Sequence, residues 1–155
     1  RGRRYGGNWS DMIGVVVVSH GNIGREMVSA TKRIIPEATN MCSVSVESDN
    51  PPELIRKQIA DAIQSVDTDN GILILTDMFG GTPSNICLSF LEPHRIEVIS
   101  GFNMPMLIKL AAAREDAGFD DTVHFIHQYG QRNIVIARNV LSGFKRTEAG
   151  TKTDR

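Results

Sequence analysis

The run Val15-Val16-Val17-Val18 constrains this chain more than any other feature. Four consecutive β-branched residues suit a strand buried on both faces of a parallel sheet. The run breaks off at Ser19-His20-Gly21, where a titratable side chain and a glycine mark the point at which the chain leaves the sheet. Loops at the carboxyl ends of such strands are where α/β proteins place their sites. His20 therefore reads as chemistry rather than packing.

Size and charge narrow the field. The 155 residues allow one domain with a proper core, and 17 basic against 18 acidic residues leave a formal charge of −1. No bulk charge points to nucleic acid or to a membrane surface, and no apolar stretch approaches the length of a membrane span. Cys42 and Cys87 lie far apart among apolar neighbours and form no C-x-x-C pair, so they are expected to be buried free thiols in a reducing compartment. With no apolar h-region near the N-terminus, the expected location is the cytoplasm. Met12, just before the first strand, is a candidate native start, which would make residues 1–11 an upstream remnant. That N-terminal extension and the polar tail 145–155 are expected to be disordered, which leaves one domain over residues 12–144.

Within the domain, strand-like and helix-like periods alternate, the pattern of a doubly wound α/β fold. Strands are expected at residues 13–19, 41–46, 71–76 and 95–99. Between and after them, helices are expected at residues 22–35, across Ile55, Ile59, Ala62, Ile63 and Val66, and at 83–91, 105–116 and 120–129. Asn22 is the expected N-cap of the first helix. A last apolar run at 133–137 stands apart, because Gly130-Gln131-Arg132 is too short for a crossover helix. It is read as an antiparallel edge strand that pairs with a second subunit, so a homodimer is expected.

Thr76-Asp77-Met78-Phe79-Gly80-Gly81-Thr82-Pro83-Ser84-Asn85 follows the third strand as His20 follows the first. In a flavodoxin-like order those strands are neighbours, and Asp77 and His20 face each other across the topological switch point. A carboxylate that accepts the Nδ1 proton leaves Nε2 unprotonated as a nucleophile and stabilises positive charge on the ring. Gly80 and Gly81 permit a backbone that exposes amide groups, and Thr82 as N-cap with Pro83 behind it gives a strong helix start able to hold phosphate.

No G-x-x-x-x-G-K-[ST], no G-x-G-x-x-G and no arginine beside His20 occurs, which points away from a nucleotide donor and from an Arg-His-Gly phosphatase core. No cofactor is expected. His124 and His127 stand i, i+3 on a helix but have no obvious third ligand, so no metal site is expected and both are read as exposed. His94, after Pro93, is read as a solvent-exposed turn or cap residue.

Taken together, Ser19-His20-Gly21, then Asp77-Met78-Phe79-Gly80-Gly81-Thr82-Pro83, then Gly101-Phe102-Asn103-Met104-Pro105-Met106 resemble the mannose-family enzyme IIA domain of the bacterial phosphoenolpyruvate-dependent sugar phosphotransferase system (PTS). The resemblance covers about residues 12–140. It implies that His20 takes a phosphoryl group on Nε2 from the phosphocarrier protein HPr and passes it to an enzyme IIB domain, with Asp77 as its hydrogen-bonding partner. It also implies four parallel strands plus a final strand exchanged across a homodimer. Some relatives carry Thr-Trp where this chain has Met78-Phe79, which removes one hydroxyl from the site and leaves that of Thr82. Three alternatives stay open: a phosphocarrier subunit of a dihydroxyacetone kinase system, a small tetrapyrrole chelatase with His20 as metal ligand, and a binding module whose phosphorylated His20 signals to a regulator. The letters do not identify a sugar.

Overall fold

The structure is a computed structural model that describes residues 12–112 and 117–149. The leader 1–11, the end of the expected fourth helix at 113–116, and residues 150–155 lie outside the described residues. In chain order the elements are β1 (Gly14–His20), α1 (Ile23–Ile34), β2 (Met41–Val46), α2 (Pro52–Val66), β3 (Ile72–Thr76), α3 (Thr82–Leu88), β4 (Ile96–Ser100), α4 (Met104–Ala112), α5 (Phe119–Arg132) and α6 (Ala137–Ala149).

The four strands form one sheet in the order β2-β1-β3-β4, and every pairing is parallel. The valine run explains the layering. Successive strand side chains point to opposite faces, so Val15 and Val17 join Val28, Leu107 and Ile126 from α1, α4 and α5. Val16 and Val18 join Ile55, Ile59 and Cys87 from α2 and α3. All four valines are fully buried, each worth about 1.5–3 kcal/mol relative to exposure. β1 and β3 are thus the double-sided centre of the sheet, and their carboxyl ends lie side by side, with Val18 level with Thr76.

The chain departs from the sequence-based expectation after β4. The run at 133–137 is not a strand: α5 carries on to Arg132, residues 134–136 are coil, and α6 begins at Ala137. Ile134, Val135 and Ile136 are 77%, 62% and 69% exposed. Their β-branched side chains favour an extended backbone, but a strand also needs an edge to pair with, and the sheet of this single chain has four strands among the described residues. The tail from residue 145, expected to be disordered, instead begins as the end of α6, which runs to Ala149.

Cys42 and Cys87 are both free. Burial pushes the Cys87 thiol up to about 12. It raises Cys42 as well, against smaller opposing effects from the Ser65 hydrogen bond and the Lys32 charge. Cys87 is buried as expected, Cys42 only partly so, and the raised thiols are poor nucleophiles. Among the described residues no helix is long and apolar enough to cross a membrane.

Candidate functional site

β1 and β3 deliver His20 and Asp77 to the same point. The Asp77 carboxylate takes up both the ring and the backbone of His20: Oδ2 lies 2.9 Å from Nδ1 and accepts the His20 backbone N–H at 3.0 Å. Oδ1 accepts the Met78 backbone N–H at 3.0 Å and lies 3.2 Å from Nδ1. A carboxylate only accepts hydrogen bonds, so Nδ1 carries the proton that faces it. In the neutral ring, Nε2 then holds the lone pair. The Asp77 side chain is 14% exposed and that of His20 is 45% exposed, so the carboxylate is sheltered while the ring reaches solvent.

Gly81 lies against the other side of the ring. A Cβ built there would stand 3.0 Å from Cε1 and 3.3 Å from Nε2 of His20. Gly80 beside it has φ +85°, a left-handed conformation that disfavours a side chain. Thr82 was the expected N-cap of α3, but that position belongs to Gly81, whose backbone is extended at φ −81° and ψ 169°. Thr82 is the first helical residue, its hydroxyl makes no capping bond, and Pro83 comes second. The five residues singled out in the sequence thus gather at the carboxyl ends of β1 and β3, with His20 closing β1, Asp77, Gly80 and Gly81 in the loop after β3, and Thr82 opening α3, and Gly81 lies in reach of the ring.

The Gly101-Phe102-Asn103 motif turns out to be scaffolding. Thr76 O accepts N–H groups from Gly101 at 2.8 Å and Phe102 at 3.3 Å. Asn103 accepts the Met106 N–H at the start of α4 and donates to Gly130 O in α5. Met78 and Phe79 are 55% and 73% exposed, so they form an apolar rim rather than filling the core.

Sequence reasoning missed two features. One is the bond from the His20 backbone to Asp77, which leaves no trace in residue type. The other is Ser19, whose buried Oγ accepts the Gly24 N–H at 2.8 Å, while Asn22 holds the expected N-cap position without a side-chain capping bond. His94 sits in a turn at φ +61°, and its Nδ1 faces Asp120 Oδ2. His124 and His127 are exposed on α5. No group of three or more His, Cys, Asp or Glu side chains gathers among the described residues. A cavity of about 750 Å³ opens at the amino ends of the strands, lined by Met12, Gly71, Arg95, Phe119 and Phe125. It lies away from His20, which stands on open surface.

The family model described as the PTS system fructose IIA component matches residues 14–127, well over half of the chain. The chain belongs to the mannose family of PTS enzyme IIA components. The fructose-specific EIIA component of Bacillus subtilis is 24% identical over 144 residues, which cover 92% of this chain and 99% of that protein. The mannose-specific EIIAB component of Escherichia coli K12 is 30% identical over 125 residues, 79% of this chain and 38% of that longer protein. Among solved structures, an EIIA component from Streptococcus agalactiae aligns with a TM-score of 0.71 at 25% identity, covering 83% of this chain and 99% of that one. A mannose/sorbose-specific IIA subunit from Enterococcus faecalis shares the fold, with a TM-score of 0.71 at 23% identity over 81% of this chain and 94% of that one. As an enzyme IIA component the chain has a phosphocarrier role in a sugar PTS. The sugars named for these relatives differ, so family membership selects none of them.

Proposed function

We propose that His20 is the phosphoryl acceptor and Asp77 its orienting partner, and that the chain works in the cytoplasm between HPr and an enzyme IIB domain. The observation that carries this reading is the Nδ1 contact at 2.9 Å to a carboxylate already bound by two backbone amides. With Nδ1 committed, attack proceeds from Nε2. The P–N bond of the donor phosphohistidine breaks as the Nε2–P bond forms, and the Nδ1 proton stays on a ring that now bears positive charge opposite Asp77. The backbone amides of Gly80 and Gly81, with the Thr82 hydroxyl, take the phosphoryl oxygens. In-line transfer between two imidazoles asks for positioning and charge stabilisation more than for bond-making groups. An open site suffices, because the donor and acceptor proteins close it on each side.

The test is transfer from labelled phosphoenolpyruvate through enzyme I and HPr. Acid-labile label is expected on the wild-type chain and none on His20→Ala. No label with partners of proven activity, or label that persists in His20→Ala, would sink the reading. Discharge to an enzyme IIB domain rather than to a kinase subunit separates the sugar pathway from the dihydroxyacetone kinase alternative.

The homodimer belongs to the same proposal. Three adjacent apolar residues, Ile134, Val135 and Ile136, stand in water, and β4 is an edge strand whose residues are all at least partly exposed. Pairing one segment with the β4 edge of a second copy covers both. Light scattering should then give a dimer mass for the wild type and a monomer for Val135→Lys. A monomeric wild type at micromolar concentration would remove the dimer.

A further inference from the structure

We propose that Ser19 is a positioning residue for His20, acting through a buried hydroxyl that fastens the end of β1 to the first turn of α1. As far as transfer is concerned, the proposal rests on His20 being the phosphoryl acceptor.

The first four N–H groups of a helix have no partner within it, and Gly24, in the first turn, is buried away from water. Asn22 does not serve it: that side chain makes no capping bond, and its Oδ1 instead faces the Ser45 hydroxyl at 3.5 Å. Ser19 Oγ takes the Gly24 N–H at 2.8 Å and points its own proton at Gly21 O, 3.5 Å away. Ser19 is fully buried, so no water stands by to replace it.

The helix meets the strand here at the limit of contact. A Cβ at position 24 would lie 2.7 Å from Val17 Cγ1 and 2.9 Å from Ser19 Oγ. Glycine lets the backbone of α1 come close enough for the serine to reach it. The polar break after the valine run is therefore a clasp as well as a strand end.

The consequence falls on the next residue. Ser19, His20 and Gly21 are each tied to a different part of the fold: Ser19 to α1, the His20 N–H to Asp77 after β3, and the Gly21 N–H to Val46 O of β2 at 3.0 Å. Releasing the first leaves a buried amide without a partner, which is relieved only if the first turn of α1 moves towards water. That movement pulls on the three residues, His20, Gly21 and Asn22, between Ser19 and the helix. His20 then leaves the angle at which Asp77 holds both its N–H and its Nδ1, and hydrogen bonds weaken steeply with misalignment.

The experiment compares Ser19→Ala, Ser19→Cys and Ser19→Thr. Cysteine nearly preserves the volume but replaces the oxygen with a weak acceptor, so it carries the test if the alanine variant does not fold. Two readouts are taken: nitrogen NMR shifts of the His20 ring in the unphosphorylated protein, which report its tautomer without any partner, and single-turnover transfer from phospho-HPr. The alanine and cysteine variants should show a mixed ring tautomer and transfer slowed about 10-fold or more at saturating donor. Half-saturation by the donor should be unchanged, and Ser19→Thr should restore the single tautomer. A wild-type tautomer and rate in Ser19→Cys, whatever its stability, would overturn the proposal. Failure of the wild type to accept phosphate would instead overturn His20 as acceptor, and the ring tautomer would still decide for or against the clasp.

Discussion

Asp77→Asn is expected to leave a folded protein whose phosphoryl transfer is about 10³–10⁴-fold slower, by analogy with histidine–carboxylate pairs in acyl transfer that lose their tautomer. The reason lies in what the carboxylate accepts. Both oxygens are engaged with N–H groups: Oδ2 with His20 N–H and Nδ1, Oδ1 with Met78 N–H. An amide offers one oxygen and one NH₂. With the NH₂ in the Oδ1 place it meets the Met78 N–H, and with the NH₂ in the Oδ2 place it meets the His20 N–H and donates to Nδ1. In the second arrangement the ring accepts at Nδ1 and carries its proton on Nε2, the nitrogen that must attack.

The fold should survive this change. A histidine–carboxylate contact whose ring is 45% exposed contributes at most about 1 kcal/mol, against about 1.5–3 kcal/mol for each of the four buried valines beneath it. Single-turnover transfer and the nitrogen shifts of His20, measured on the same sample, check the chain of cause. A slow variant with the Nε2-protonated tautomer is the expected pair of results. Wild-type transfer with the tautomer reversed would detach the proton position from the mechanism.

Much of this arrangement is legible in the letters, because the determinants are local. A β-branched run buried on both faces has few places to go, and β1 lies within a residue of its expected position. The meeting of His20 and Asp77 follows from one topological inference, that β1 and β3 are neighbours, which the sheet order bears out. What was not legible depends on partners distant in sequence or in space. The segment 134–136 has the residue types of a strand but lies against neither edge of the sheet within the described chain. Asn22 is a good cap by residue type, yet a serine five residues before Gly24 does the work, since only the packed structure brings its oxygen to that amide. Thr82 lost the N-cap position to Gly81 for a related reason: the extended backbone at the cap is set by where the loop passes the His20 ring.

That passage makes Gly81→Ala the sharpest probe of the site. At φ −81° and ψ 169° the backbone of Gly81 is in a region open to any residue, so alanine brings no conformational strain. Gly80→Ala is a different experiment, since φ +85° imposes about 1–2 kcal/mol of backbone strain on a side chain that would otherwise meet nothing. At position 81 the penalty is steric and falls on the ring, with the new Cβ 3.0 Å from Cε1 and 3.3 Å from Nε2. If the ring stays with Asp77, the methyl group occupies space that the phosphoryl oxygens need. If the ring swings away, it gives up the Nδ1 contact that keeps Nε2 unprotonated. Both responses disable the same nitrogen, so transfer should fall about 100-fold or more while the urea unfolding midpoint stays near that of the wild type. Wild-type transfer by Gly81→Ala would mean that the phosphoryl group reaches His20 from the side away from the glycine loop, and Gly80, Gly81 and Thr82 would lose their place in the site together.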